Sequence, residues 1–334
     1  MCIYWGPRQC GAADHIPPQC PRRHHVFCNT HRRLWLKVQA VVSSIICKMK
    51  ILCLHGRGSN NEIFQAQTAA FRADLEDFEF VFIQGTVRHT EGNWSLYTSS
   101  FSDSPLYTYY NPFDPTSILQ TDTELEDIIA KEGPFDGVLG YSGGAAVAAE
   151  IIARNALSDP FAIERPFRFA IFINGASPLR VFTLDEVEIQ DGEIDAGPLT
   201  AQAEAMFLRP SALRKKDGVS EEDQIDHAKL LGLLARLKGK RMKDGTVFLT
   251  DGKYGLCRFE SNASEDGPLI DIPTLHIRST DEDELDPHHG LHLLGLCDKE
   301  QAKEYHHAYG HDFPRGRTDM KQISALIREV AESA

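Results

Sequence analysis

The sequence predicts an α/β fold, a mostly parallel, doubly wound sheet with helices on both faces and one long inserted segment. Three observations carry that expectation. Short apolar runs alternate with segments of helical period, the pattern of successive βαβ units. Several of these runs, such as Ile51 to Leu54 and Phe169 to Ile173, are apolar at nearly every position, as strands covered on both faces must be. Hydrophobic residues make up 42% of 334 residues, enough for a sizeable core. The formal net charge of -13 argues against nucleic acid or an anionic membrane surface as a partner. No run approaches the roughly 18 apolar residues of a spanning helix.

The first 48 residues differ from the rest. They hold seven basic residues (Arg8, Arg22, Arg23, Arg32, Arg33, Lys37, Lys48) against one acid, Asp14, and five of the eight cysteines. Residues 1–48 read as an extension outside the fold, disordered or upstream of a working start at Met49. An organelle transit peptide is the alternative that the basic, acid-poor composition leaves open. The spacing of Cys10, Cys20, Cys28, His24, His25 and His31 lacks the paired ligands of a zinc module. Beyond the extension, Cys53, Cys257 and Cys297 stand alone, which fits a reducing, cytoplasmic setting.

From Met49 the elements follow in order. Residues 50–54 form a first strand, ended by the turn-rich His55-Gly56-Arg57-Gly58. Residues 61–75 carry a helical face of Ile63, Phe64, Ala70, Phe71 and Leu75. A strand at 79–83 leads into 86–117, an aromatic, polar loop without a clear period. A helix at 118–131, a strand at 135–140, a helix at 143–156 and a strand at 167–174 come next. Over 176–272 the pattern loosens, holding helical stretches at 198–207 and 220–238; this segment is expected to be a lid inserted into a 49–334 domain. A strand at 274–278, a helix at 290–302, a strand at 304–308 and a helix at 318–332 close the chain.

The chemistry centres on Gly140-Tyr141-Ser142-Gly143-Gly144, a Gly-x-Ser-x-Gly pattern between a strand and a helix rich in small residues. A strand-to-helix turn that sharp needs glycines on either side of the serine. It exposes the hydroxyl and aims the helix N-terminus at the place where negative charge develops. Ser142 is the candidate nucleophile. A serine needs a base, and His311, in a glycine-bearing loop after the last strand, has the best position among 14 histidines. His306 and His307 fall within that strand. The acid that orients the base belongs after the strand at 274–278, where Asp281 and Asp283 are equal candidates. The order serine, acid, histidine is that of α/β-hydrolases. Backbone N–H groups of Arg57 and Gly143 are the candidate oxyanion hole, with His55 either a positioning residue or a packed one.

Taken together, KILCLHGRGSN (50–60), GVLGYSGG (137–144), FAIFING (169–175), PTLHI (273–277) and GHDFP (310–314) resemble the FSH family of serine hydrolases. The resemblance runs from Met49 to the C-terminus. It implies an α/β-hydrolase whose triad falls on Ser142, Asp281 or Asp283, and His311. Where the family has Gly-x-x-Asp, Ser279 stands for the glycine and Glu282 takes the acid's register, so Glu282 joins the candidates. The resemblance further implies hydrolysis of a small-molecule acyl ester or a carrier-bound acyl thioester through an acyl-enzyme, without metal or organic cofactor. It points to fungal polyketide metabolism, with a polyketide synthase as a partner. A general short-chain carboxylesterase and a non-catalytic binding relative are the alternatives.

Overall fold

The computed structural model describes residues 48–89, 104–160, 165–192, 194–208, 221–260, 267–280 and 290–334. The extension up to residue 47 lies outside them, as do Asp281, Glu282 and Asp283.

Six strands form one wholly parallel sheet: β1 (Met49–Leu54), β2 (Phe78–Ile83), β5 (Gly137–Tyr141), β6 (Phe169–Ile173), β11 (Thr274–Ser279) and β12 (Ala302–His307), in the order β12-β11-β6-β5-β1-β2. Alternate side chains along each strand go to opposite faces. Ile51, Cys53, Phe169, Ile171 and Ile173 share one core with α1 (Asn61–Arg72) and α7 (Arg317–Glu332). Leu52, Leu54, Val138, Ala170 and Phe172 share the other with α2 (Pro115–Glu132) and α3 (Gly143–Ser158). The doubly wound α/β class expected from the sequence is therefore present.

The order reverses between β1 and β5, because the chain builds β2 on one side of β1 and the remaining strands on the other. In open α/β sheets, sites are built at such a switch point, from the loops that leave the carboxyl ends of the strands. Asn60 starts α1 by accepting the Ile63 N–H at 2.8 Å, which fixes the exit of the first loop.

The 176–272 segment builds a second sheet that the sequence's periodicity did not show. It contains β7 (Leu179–Thr183), β8 (Lys238–Arg241), β9 (Val247–Thr250) and β10 (Tyr254–Arg258), antiparallel in the order β7-β10-β9-β8. Leu179, Leu249 and Leu256 join the core on the α3 side, while Phe182, Met242 and Phe248 form a small cluster of their own. The helices α4 (Gly197–Phe207) and α5 (Glu221–Leu234) precede β8. Leu230, Leu234 and Leu237 are buried as the apolar pattern implies, but Leu231 is exposed.

Two further expectations are corrected. Residues 290–302 do not make one helix: α6 covers only Leu291–Gly295, and turns lead from it to β12. The aromatic 86–117 region carries an antiparallel pair, β3 (Val87–His89) with β4 (Leu106–Thr108), and its end is the start of α2. Asp114 caps that helix through the N–H groups of Thr116 and Ser117, with Pro115 at its first turn. No helix among the described residues is long and apolar enough to cross a membrane.

Candidate active site

Ser142 sits between β5 and α3 with φ 51° and ψ −115°, a conformation that L-residues rarely adopt. The turn is tight enough that side chains on two of its glycines would clash with backbone. A Cβ on Gly140 would lie 2.5 Å from Ala145 Cα, and one on Gly144 would lie 2.2 Å from the Leu54 carbonyl oxygen. The strained serine is held on both sides. Its N–H donates to Ile173 O at 2.9 Å, and its carbonyl accepts from Ala145, Ala146 and Ala176.

His311 Nε2 lies 2.9 Å from Ser142 Oγ, which brings together two candidate residues 169 positions apart in the chain. For Nε2 to accept the hydroxyl proton, the other proton must sit on Nδ1, the nitrogen that an orienting carboxylate would hold. The candidate acids follow β11, whose last residue Ser279 is in register with His307, four positions before His311.

Two side chains absent from the predicted site fasten the loop that carries His311. Tyr141 OH donates to the His311 carbonyl at 2.6 Å, and its ring packs on Phe313 with centroids 4.5 Å apart. Asn174 Nδ2 donates to the Asp312 carbonyl at 3.0 Å. Asn174 is buried at the end of β6 and has φ 44°, the second non-glycine residue with positive φ among those described. The Asn174-Gly175 pair after a strand is a turn signal of the kind that marks left-handed backbone, so the sequence did contain a trace of it.

Arg57 and Gly143 are neighbours: a Cβ on Gly143 would lie 3.4 Å from the Arg57 nitrogen. As the first residue of α3, Gly143 has no intrahelical acceptor for its N–H. Both N–H groups are thus close to Ser142. The Arg57 side chain donates from Nη1 to the Phe207 carbonyl at 3.2 Å.

His55 is fully buried and bound through both ring nitrogens. Nδ1–H donates to Gly56 O at 2.8 Å, and Nε2 accepts the Gly85 N–H at 3.0 Å. Burial holds the ring neutral, pushing its pKa down to about 4 against the opposing effect of the Gly56 carbonyl. The buried, doubly bonded ring ties the first loop to Gly85.

Glu150, on α3, is a buried acid that no motif announced. Its Oε1 accepts Tyr110 OH and the Leu179 N–H, each at 2.7 Å, while Oε2 has no hydrogen-bond partner. Burial pushes its pKa up to about 7, with the two hydrogen bonds opposing the shift. Cys53, Cys257 and Cys297 are free thiols.

A parallel sheet with a switch point between β1 and β5, a serine on a strained turn at that point and a histidine within hydrogen-bond reach define an α/β-hydrolase of the serine type. Comparison with known proteins agrees. The serine hydrolase (FSH1) family model matches residues 43–323, and the chain belongs to that family. Its relatives include the esterase FPY3 of Fusarium mangiferae, 38% identical over 45% of this chain and 69% of that protein. The esterase alnB of Emericella nidulans is 24% identical over 83% of this chain and 95% of its own length. The hydrolase FUB4 of Fusarium oxysporum f. sp. lycopersici is 28% identical over 85% and 99%.

Proposed function

We propose that Ser142 is the nucleophile and His311 the general base of a serine esterase acting on a small-molecule acyl ester, with Asp281 or Asp283 as the orienting carboxylate. The observation that carries the assignment is the 2.9 Å approach of His311 Nε2 to the hydroxyl of a serine on a strained elbow. Ser142 Oγ bonds to the ester carbonyl carbon as its proton passes to His311 Nε2. The oxyanion is received by the N–H groups of Arg57 and Gly143. Collapse expels the alcohol, which takes the proton from His311 and leaves an acyl-Ser142. Water then gives a proton to His311 and attacks the acyl carbonyl. Release of the carboxylic acid returns the proton to Ser142.

The same steps serve a thioester, with a thiol leaving in place of the alcohol. Delivery of the acyl group by a polyketide synthase carrier, in the cytoplasm, extends this reading and draws on the family resemblance alone. The discriminating experiment is fluorophosphonate labelling with mass mapping, followed by hydrolysis of paired acyl esters and acyl thioesters. The expected adduct is on Ser142, abolished in His311→Ala. Separate Asp281→Asn, Glu282→Gln and Asp283→Asn variants identify the acid by which one loses turnover. An adduct elsewhere, or esterase turnover retained by Ser142→Ala, overturns the assignment.

A further inference from the structure

The loop that carries His311, residues 308–316, runs from the end of β12 to the start of α7. Asp319, in the first turn of α7, gathers three donors onto one carboxylate. Tyr305 OH, on β12, donates to Oδ1 at 2.8 Å. Tyr309 OH and the Gly316 N–H both donate to Oδ2, at 3.1 Å and 3.0 Å. Tyr309 stands near the start of the loop and Gly316 at its end, so both ends meet on a single oxygen. An acid in a first helical turn ordinarily serves the helix, by accepting the N-cap N–H. The Gly316 bond does that much, and the two tyrosine bonds go beyond it, to a strand and to the loop. The Tyr305 hydroxyl, ahead of Tyr309 and the Gly316 N–H, holds the Asp319 carboxyl below the usual carboxylate range, so all three donors meet an anion.

From Tyr309 to His311 the chain makes one tight turn. The Asp312 N–H returns to the Tyr309 carbonyl at 3.2 Å, a β-turn whose central residues are Gly310, with φ 58°, and His311. Tyr309 is itself held twice, by its N–H to His307 Nδ1 at 3.2 Å and by its hydroxyl to Asp319. Beyond the turn, Phe313 is buried against Phe64 and Tyr141. Tyr141 and Asn174 hold the middle of the loop, whereas Asp319 sets where the turn begins and where the loop ends.

We propose that Asp319 is a positioning residue for the hydrolysis: through Tyr309 and Gly316 it sets the turn that holds His311 Nε2 at Ser142 Oγ. The inference rests on the Ser142–His311 reading, and the test separates the two. Steady-state hydrolysis of p-nitrophenyl acetate is measured well below every melting temperature, beside the rate of fluorophosphonate labelling of Ser142. Asp319→Ala lowers kcat about ten- to a hundredfold, the scale of a small misplacement of a reacting group, and slows labelling to match, with KM within about twofold of wild type. Tyr309→Phe removes one hydroxyl and leaves the Tyr305 and Gly316 bonds in place. It lowers kcat about three- to tenfold, and in the Asp319→Ala background it has no further effect, because the two groups act as one contact. Arg328→Ala, which releases the far end of α7 from Asp74 and Asp77, lowers the melting temperature and leaves kcat unchanged. A Tyr309→Phe kcat equal to wild type overturns the proposal, whether or not Asp319→Ala folds, as does a rise in KM at unchanged kcat. An equal loss of kcat in Arg328→Ala overturns it too, because the effect is then one of helix stability. Absence of Ser142 labelling in the wild type is the separate failure, that of the catalytic reading.

Discussion

His307 Nε2 lies 3.2 Å from Asn174 Oδ1, and the Tyr309 N–H meets His307 Nδ1 at 3.2 Å. Since Nδ1 accepts, the ring proton sits on Nε2 and is donated to Asn174, which leaves the Asn174 amide free to donate to Asp312 O. A chain of oriented hydrogen bonds thus runs from β12 through β6 to the residue after His311. Asn174 keeps its left-handed backbone within this chain, a local strain of the kind that a surrounding network sustains.

Asn174→Gly relieves that strain while removing both side-chain hydrogen bonds. The expected result is a melting temperature within a few degrees of wild type and a kcat lower by about ten- to a hundredfold, the scale of a small misplacement of a reacting group, with KM little changed. Asn174→Asp, which keeps the acceptor for His307 and faces the Asp312 carbonyl with a second acceptor, should lose at least as much. Rates of Ser142 labelling should fall in parallel. Loss of stability without loss of kcat in the folded protein would show that the chain is structural only.

Tyr141→Phe removes the other fastening of the same loop, the 2.6 Å bond to the His311 carbonyl, and keeps the ring packed against Phe313. Because the two fastenings share one loop, their effects on kcat should not add: the double variant with Asn174→Gly should differ from the sum of the singles by more than 0.5 kcal/mol, the usual margin for independent sites. Strict additivity in the cycle would place them on independent loops.

Glu150 yields a prediction about pH and stability. Its folded pKa of about 7 lies above the ordinary carboxyl value of 4.5, so the folded chain retains a proton that the unfolded chain releases between those values. The contribution is fully present below pH 4.5 and is lost as pH rises through 7, to a total on the order of 3 kcal/mol. Glu150→Gln keeps an acceptor for Tyr110 and Leu179 and has no proton to lose. Urea denaturation at pH 4.5, 6 and 8 should show the variant gaining on wild type as pH rises. A constant difference at all three pH values would mean that Glu150 is not titrating in the folded protein.

These residues also mark where the sequence was legible. The elbow could be read because its requirements are local: a strand, three glycines within five residues and a helix of small residues. His311 could be read because its loop follows the last strand of a parallel sheet, whose carboxyl edge gathers such groups. Asn174 and Glu150 were hidden because their roles depend on partners 133 and 40 residues away, and nothing in the FAIFING or AAEII segments names those partners. The strands β7 to β10 were hidden for a different reason. They are four or five residues long and carry Gly239, Gly255, Lys238, Lys240 and Arg241 among their apolar positions, so alternation has too few residues in which to appear.

Two adjacent glycines of the elbow should respond to alanine in opposite ways. At Gly144 the new Cβ would lie 2.2 Å from Leu54 O and 2.5 Å from His55 O, both backbone atoms at the end of a central strand that cannot turn aside. Gly144→Ala should therefore cost more than about 3 kcal/mol, beyond ordinary overpacking, or prevent folding. At Gly143 the nearest atom is Arg57 N at 3.4 Å, an ordinary contact, and alanine favours the first turn of α3. Gly143→Ala should keep or raise the melting temperature. Its methyl, however, would stand against the Arg57 nitrogen, where the oxyanion is to be received. Turnover should fall by about a hundredfold or more, the scale seen when one oxyanion donor is lost. Thermal melting and esterase assays on the two purified variants decide it. An active, stable Gly143→Ala protein would move the oxyanion hole away from the Arg57 and Gly143 N–H groups.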